Sequence, residues 1–420
     1  MSDRSFLDSL EIIGIKLGLD QIRALCEQLD RPQDSFRSIV VAGTNGKGSV
    51  TAMVERGLRA AGYRTGRYTS PHLAHLEERF AIDGVSVPAN VLDEVLGRVQ
   101  SAATKLPAPS SYFEATTAAA FEIFRDGQVD VAVLEVGLGG RLDATNVVTP
   151  IAVAITAIDF DHQAYLGDTI EAIAREKAGV IKPDCLTVLA INPKAVREVV
   201  RATCEQQGAS LVYAPDGVAI DARIVDGATT LSLTTPRGTH AGLSLALRGR
   251  HQIDNAVTAV RLLEELAASD RLSVPAGAIR SALADVEWPA RLELIRWNGH
   301  EVLIDGAHNP AGAHALAWHL QETYDHRVPM VVGIMRDKNI GQMIQSLAPA
   351  ASHFIFTASA TGRASSPSDL VRAAAHIAPY VPAVEFARPS DALRHAVTLG
   401  QPAVVAGSLY LAGEIRADIS

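Results

Sequence analysis

The segment Ile39-Val40-Val41-Ala42-Gly43-Thr44-Asn45-Gly46-Lys47-Gly48-Ser49 runs an apolar strand into a glycine-rich turn holding one lysine and one hydroxyl. Glycines at 43, 46 and 48 let the backbone turn tightly and aim N–H groups at an anion. Lys47 adds a mobile positive charge, and Ser49 opens the next helix where a metal would sit. The chemistry suits a nucleoside triphosphate with magnesium. The usual phosphate-loop spacing, however, would put glycine at Val41 and Ser or Thr at Gly48, so a ligand-free strand-to-helix turn stays open as a reading.

Other strand ends carry reactive groups. Glu135 closes an apolar run before Gly137-Leu138-Gly139-Gly140-Arg141-Leu142-Asp143-Ala144-Thr145-Asn146 and suits magnesium, or a structural pairing with Arg141. Ser70-Pro71-His72 and Asp159-Phe160-Asp161-His162 end two neighbouring strands. Ser70 offers a hard oxygen, whereas His162 reads equally as a ligand or as a hydrogen-bonded turn residue. Lys177, by its local pattern, reads as a solvated helix lysine. Asp305 and His308 lie in Leu303-Ile304-Asp305-Gly306-Ala307-His308-Asn309-Pro310, where Asn309 suits a helix N-cap and Pro310 the first helical position. A turn-stabilising Asp and a capping His are as consistent with that segment as a site, and the same holds for Ser408 in Gly407-Ser408-Leu409-Tyr410.

The elements that must position these residues alternate. After an amphipathic opening helix come strand 38–43, helix 48–61, strand 65–69, helices 89–105 and 113–125, strands 130–136 and 151–157, helix 168–181 and strand 186–191. This order predicts a parallel sheet covered by helices. Thr-rich alternation over 218–248, with turn signals at Asp226-Gly227 and Pro236-Arg237-Gly238, predicts an antiparallel flap, followed by helices 252–268 and 275–284. A second α/β series begins at Glu301: strands 301–305, 329–334, 353–357, 383–386 and 403–406, with helices 310–323, 340–348, 367–377 and 390–398 between them. The fold class is therefore α/β, with an N-terminal domain at 1–287 and a smaller C-terminal one at 288–420, divided at Trp288-Pro289.

At 420 residues and 48% hydrophobic content the chain can bury more than one core. A net charge of −9 argues against nucleic acid or an anionic membrane as the main partner. Cys26, Cys185 and Cys204 lack the spacing of a disulfide framework or a thiolate zinc site, which fits a reducing cytoplasm. Met1 to Leu10 has no apolar core of signal-peptide length, and no segment offers the roughly 18 uninterrupted apolar residues of a membrane span.

Taken together the chain resembles the folylpolyglutamate synthase and dihydrofolate synthase family, a branch of the ATP-dependent Mur-type amide ligases. The resemblance is distributed over GTNGKGS, YTSPHL, YFEATTAAAF, LEVGLGGRLDATNV, DFDHQAYLG, REKAGVIKP, WPARLE, IDGAHNP, GIMRDKN and AGSLYLA, in the family's order. It implies a P-loop Mur-ligase-like domain plus a Rossmann-like C-terminal domain. It implies that Thr44, Asn45, Gly46, Lys47, Gly48 and Ser49 hold the ATP phosphates, with Asn255, Arg291 and Asp305 as further ATP contacts. Ser70, Glu135 and His162 would coordinate magnesium, of which two ions are implied, and potassium is a further implied cofactor. Lys177 matches the family's carbamylated lysine, which reverses its local reading: a CO2-derived carbamate turns a cation that repels a metal into an anion that can face it.

His308 and Ser408 match residues near the glutamate acceptor, and Lys47, Lys177, Asp305 and His308 form the implied catalytic set. Ser111, Tyr112, Phe113 and Glu114, with Leu142, Asp143 and Ala144, fall where bifunctional members hold dihydropteroate. Lys16 before Leu17 departs from the acid that some dihydropteroate users carry there. The implied reaction joins L-glutamate to dihydropteroate, to tetrahydrofolate (poly)glutamates or to both, through an acyl phosphate. A monomer acting on small molecules in the cytoplasm is expected. Two rivals are a Mur-type ligase on another acid, disfavoured because only 42 residues precede Gly43, and a nucleotide-binding protein without ligase activity.

Overall fold

The computed structural model describes residues 3–11, 14, 16–225 and 227–419. Its first sheet contains β1 (Arg37–Ala42), β2 (Thr65–Tyr68), β3 (Phe80–Ile82), β4 (Val85–Ser86), β5 (Val131–Glu135), β6 (Ala152–Ile155), β7 (Leu186–Leu189) and β8 (Ser210–Tyr213). They lie in the order β4-β3-β2-β5-β1-β6-β7-β8, parallel except for the β2-β3-β4 meander at one edge. Both faces are covered, which explains why the central strands read as continuous apolar runs. Val40 and Ala42 face a core built with helices Ala89–Ala103, Tyr112–Asp126, Ile170–Ala178 and Lys194–Gln207. Ile39 and Val41 face the opposite core, built with Lys47–Ala60, His251–Ala268 and Ala276–Ala284.

Strands β9 (Ala219–Val225), β10 (Ala228–Thr235) and β11 (Gly238–Leu245) form the expected antiparallel flap. Leu231, Leu233, Leu243 and Leu245 turn its apolar side into the second core. Gly227 and the Pro236-Arg237 turn lie between these strands, while Asp226 is outside the described residues.

The second sheet contains β12 (Glu293–Trp297), β13 (His300–Ile304), β14 (Val328–Val332), β15 (Ala351–Phe356), β16 (Ala383–Glu385) and β17 (Ala403–Ala406), in the order β12-β13-β17-β14-β15-β16. Only β12 runs antiparallel to its neighbour. Every expected strand and helix is present, with ends within three residues of expectation. Elements beyond expectation are Asp20–Gln28, the β3-β4 hairpin, the single-turn helix Gln163–Leu166, Lys194–Gln207 with β8, the edge strand β12, the C-terminal helix Leu409–Ile419 and short 3-10 turns.

The C-terminal helix packs closely against the N-terminal half at Gly413. A Cβ on Gly413 would stand 2.0 Å from the Leu73 carbonyl oxygen, in the loop that carries Ser70, so only glycine permits this approach. The clash is with backbone, which cannot rotate away. Gly413→Ala is therefore expected to destabilise the protein by about 1–3 kcal/mol, as overpacking does. Calorimetry should show a thermal midpoint lowered by a few degrees, and an unchanged midpoint would contradict the contact.

Candidate functional site between the two sheets

The glycine-rich turn is built by close approaches. Gly43 has φ +149°, and a Cβ there would lie 1.9 Å from Thr156 Oγ1. Gly46, at φ +87°, caps helix Lys47–Ala60, and a Cβ there would lie 2.3 Å from Asn255 Oδ1. Asn255 thus faces the turn, its amide held by donating to Gln252 Oε1 at 2.9 Å. The Thr44 and Asn45 amides donate to the Ala157 carbonyl at 2.8 and 3.2 Å, and the Thr44 hydroxyl donates to the Asp159 carbonyl at 3.0 Å. These bonds fix the turn to the end of β6. The N–H groups left for an anion are those of the first helical turn, at Lys47, Gly48 and Ser49. Lys47 folds over the turn, its Nζ donating to the Thr44 carbonyl at 3.1 Å.

Parallel register brings Glu135, at the end of β5, beside Val41 of β1. The Ser70 amide donates to Glu135 Oε2 at 3.4 Å. Burial pushes the Glu135 carboxyl up in pKa, and the positive charges of Lys47 and Arg291 oppose that shift. The alternative pairing with Arg141 does not occur, because Arg141 binds Glu176 at 2.9 Å. Among the described residues no three His, Cys, Asp or Glu side chains form a ready-made metal cage. Two adjacent hard-oxygen residues, Ser70 and Glu135, still fit magnesium, which typically keeps several waters and takes few protein ligands. His162 lies on the next loop with Nε2 3.9 Å from Asp161 Oδ1. Burial lowers its pKa to about 4, with Lys338 and Lys47 acting in the same direction, so the ring is neutral at pH 7.

Lys177 is not solvated. Its side chain is buried, and Nζ donates to the Gly43 carbonyl at 2.6 Å. Burial lowers its pKa to about 7, helped by Lys47 and opposed by Asp161 and Asp143. An amine in that range is substantially neutral at physiological pH, and therefore nucleophilic.

The loop after β13 supplies the opposing wall. Asn309 Oδ1 accepts the Gly312 amide at 2.9 Å, capping helix Pro310–Thr323 as expected. The same side chain reaches across: Nδ2 donates to Asn45 Oδ1 at 2.9 Å and to Asp161 Oδ2 at 3.3 Å. Lys338 Nζ donates to Asp161 Oδ1 at 2.6 Å, and His308 Nε2 lies 4.0 Å from Asp161 Oδ2. Burial alone would raise the Asp161 pKa, but Lys338, His162 and His308 hold it well below the usual carboxylate range. His308 therefore faces Asp161 across the cleft, its Nδ1 2.9 Å from the Gly306 carbonyl, and burial brings its own pKa down to about 4.

Asp305 is buried and accepts two amides, from Ala307 to Oδ1 and from Leu292 to Oδ2, both at 2.9 Å. Arg291 donates to the Ala290 carbonyl at 2.8 Å and lies against Gly306. Ser408 Oγ accepts the Leu411 amide at 3.1 Å, which caps the C-terminal helix. Asp161 and Lys338 received no role from the sequence, and Asn309 only that of an N-cap, although all three fall inside the distributed motifs.

On the far side of β5, Ser111 and Glu114 close a reciprocal cap on helix Tyr112–Asp126. Asp143 accepts the Leu138 and Thr145 amides at 2.8 and 3.0 Å and caps the Ala144–Val147 turn. Those polar groups, with buried Ala144, shape the two loops from within. Half-buried Tyr112, Phe113 and Leu142 supply the accessible apolar surface, with Phe113 against Gly137 and Tyr112 under the Arg79 guanidinium at 5.4 Å. Between the two sheets lies a cavity of about 560 Å³ lined by Ser70, Glu135, Arg291, Trp288, Arg59 and Arg67 among others.

Residues 41–263 match the Mur ligase middle domain, and residues 290–409 match the Mur ligase glutamate ligase domain. The chain is 38% identical to a dihydrofolate synthase/folylpolyglutamate synthase of Mycobacterium tuberculosis, over 82% of this chain and 75% of that one. It is 33% identical to the protein of the same name from Bacillus subtilis, over 87% of both. The folylpolyglutamate synthase of Mycobacterium tuberculosis, solved with ADP and AMPPCP, superposes with a TM-score of 0.90 at 34% identity, covering 99% of this chain and 98% of that one. No helix among the described residues is long and apolar enough to cross a membrane. By sequence, by domain content and by fold, the chain belongs to the folylpolyglutamate synthase and dihydrofolate synthase family of Mur-type ligases.

Proposed function

We propose that this enzyme ligates L-glutamate to dihydropteroate and to tetrahydrofolate (poly)glutamates at the expense of ATP, through an acyl phosphate. The observation that carries the reading is the contact of Asn309 and Lys338, from the C-terminal half, with Asn45 and Asp161 beside the phosphate loop. It supports a single cleft shared by the strand ends of both sheets, and in this reading residues 1–287 serve as the ATP and pterin domain and 288–420 as the glutamate domain. A carboxylate is a poor electrophile because its charge is delocalised, so it must be activated before an amine can displace oxygen. In this reading the acid attacks the γ-phosphorus, ADP leaves, and the neutral amine of glutamate then displaces phosphate.

The chain's own groups serve each stage. The N–H groups of Lys47, Gly48 and Ser49, with the Lys47 ammonium, neutralise phosphate oxygens, while Thr44, Asn45 and Gly46 shape the turn. Asn255, Arg291 and Asp305 border the nucleotide. Ser70 and Glu135, with neutral His162 alongside, would hold magnesium, which supplies Lewis-acid charge to the transferring phosphoryl group. Lys177, as a neutral buried amine, adds CO2 and releases a proton to become an anionic carbamate facing that site. His308 and Ser408 position the amino acid, and Tyr112, Phe113 and Leu142 border the pterin. Closure of the cleft keeps water from the acyl phosphate. A second reading, polyglutamylation alone, is favoured by Lys16, whose Nζ reaches the Pro109 carbonyl at 3.4 Å beside the pterin segment.

Isotopic glutamate incorporation with each pterin separately tests the reading: product from both acceptors is expected, and product from neither would refute it. Glu135→Gln and Lys177→Ala are each expected to lower glutamate-dependent ADP release by about 10²-fold or more. Wild-type turnover from both variants would rule out the metal arrangement. The Lys177 amine also has a stability signature. Its folded pKa of about 7 lies below the ordinary 10.5, so the unfolded chain binds more protons between those values and stability rises with pH across that window. Lys177→Met should flatten that rise in denaturant titrations, whereas an identical slope in both proteins would show that the amine is not buried.

A further inference from the structure

We propose that Arg59 and Arg67 form a carboxylate-binding subsite for a glutamyl group within the interdomain cavity. The inference rests on the reading of this cleft as the place of glutamate ligation. Both arginines line the cavity, Arg59 from helix Lys47–Ala60 and Arg67 from β2. Both lean on a single carboxylate, Glu55, at 3.3 and 3.7 Å, distances at which charge is shared without good hydrogen bonds. Glu55 is only 1% exposed; its Oε1 accepts the Thr65 hydroxyl at 2.6 Å, while its Oε2 is left without a hydrogen-bond partner. The Nε atoms of Arg59 and Arg67 are buried and equally unpartnered.

Two cations on one anion leave a net positive charge, and a guanidinium carries a fork of donors that matches a carboxylate. Of the other arginines lining the cavity, Arg56 is paired with Asp285 at 2.7 Å and Arg416 with Glu293 at 3.0 Å, while Arg291 donates to the Ala290 carbonyl on the nucleotide side. Glu78, another acid lining the cavity, accepts the amides of Leu73, Ala74 and His75. Arg67 is 13% exposed and stacks 5.0 Å from the Trp288 ring. Trp288 in turn lies against Gly48, where a Cβ would stand 2.7 Å from its Nε1. The guanidinium plane is thus preorganised by a residue that touches the phosphate loop. Arg59 is packed under the β3-β4 hairpin, 2.7 Å from where a Cβ on Gly84 would be.

Sheet register sets the reach. Arg67 pairs with Val133, and Glu135 lies two residues further along β5 on the same face. One strand spacing across and two residues along amounts to about 8 Å between their backbones. That separation suits a glutamyl unit with its reacting group near Glu135 and a second carboxylate at the arginines. Two sources share this chemistry: free L-glutamate, and the glutamate tail of an already glutamylated pterin.

Steady-state kinetics on the full-length Arg67→Lys and Arg59→Gln variants separate them. Losing a charged hydrogen bond should raise the KM of one glutamyl substrate about tenfold or more, with kcat at saturation within about threefold and the KM for ATP unchanged. A rise for L-glutamate alone assigns the subsite to the incoming amino acid. A rise for tetrahydropteroyl glutamates but not for tail-free dihydropteroate assigns it to the tail. Unchanged KM values for every substrate, or a fall in kcat alone, would overturn the proposal. Arg59 is 37% exposed, so Arg59→Gln decides the matter if Arg67→Lys does not fold. Absence of glutamate-dependent ADP release in the wild-type protein would instead sink the ligase reading itself.

Discussion

Asp161 is the point on which the two halves of the cleft meet. Its carboxylate is 10% exposed yet charged, because Lys338 and Asn309 reach it from the C-terminal half while His162 stands beside it on its own loop. Removing one member of such a pair leaves an uncompensated buried charge, typically at a cost of about 3–5 kcal/mol. Asn309 extends the connection directly to the phosphate loop through Asn45. The glycine-rich turn and the loop after β13 are thus held to one another by the same few hydrogen bonds.

The buried lysine beneath that turn gives a second coupling. Lys177 donates to the Gly43 carbonyl, and Gly43 in turn leaves no room for a side chain against Thr156. Any change at the Lys177 amine therefore acts directly on the turn that it supports. The arginine pair at the other end of the cavity shows the same economy: Glu55 holds two guanidinium groups near their places while satisfying neither fully.

Much of this was legible in the sequence, and the reasons are physical. Strands such as Val131–Glu135 and Ala403–Ala406, buried on both faces, give continuous apolar runs, and caps such as Asn309-Pro310 mark helix starts with side-chain chemistry. The edge strand Glu293–Trp297 escaped notice because its residues are only half-buried and carry charge. Lys194–Gln207 buries just Val196, Val200 and Cys204, a narrow stripe in a largely polar helix. At the site, residue types pointed to Glu135 and Lys47, but local spacing misjudged Lys177, whose burial comes from packing far away in sequence. Asp161, Lys338 and Asn309 could not be paired from sequence alone, since each finds its partner more than a hundred residues distant.

The central claim is that this cross-cleft attachment aligns the activated acid with the amine. Asp161→Asn and Lys338→Met tested in single-turnover quench-flow, with nucleotide affinity measured separately by calorimetry, examine it most directly. The account predicts that amide formation falls about 10²-fold while ATP affinity stays within about threefold, the pattern expected when reactants lose alignment. Wild-type rates of amide formation in both variants would contradict it.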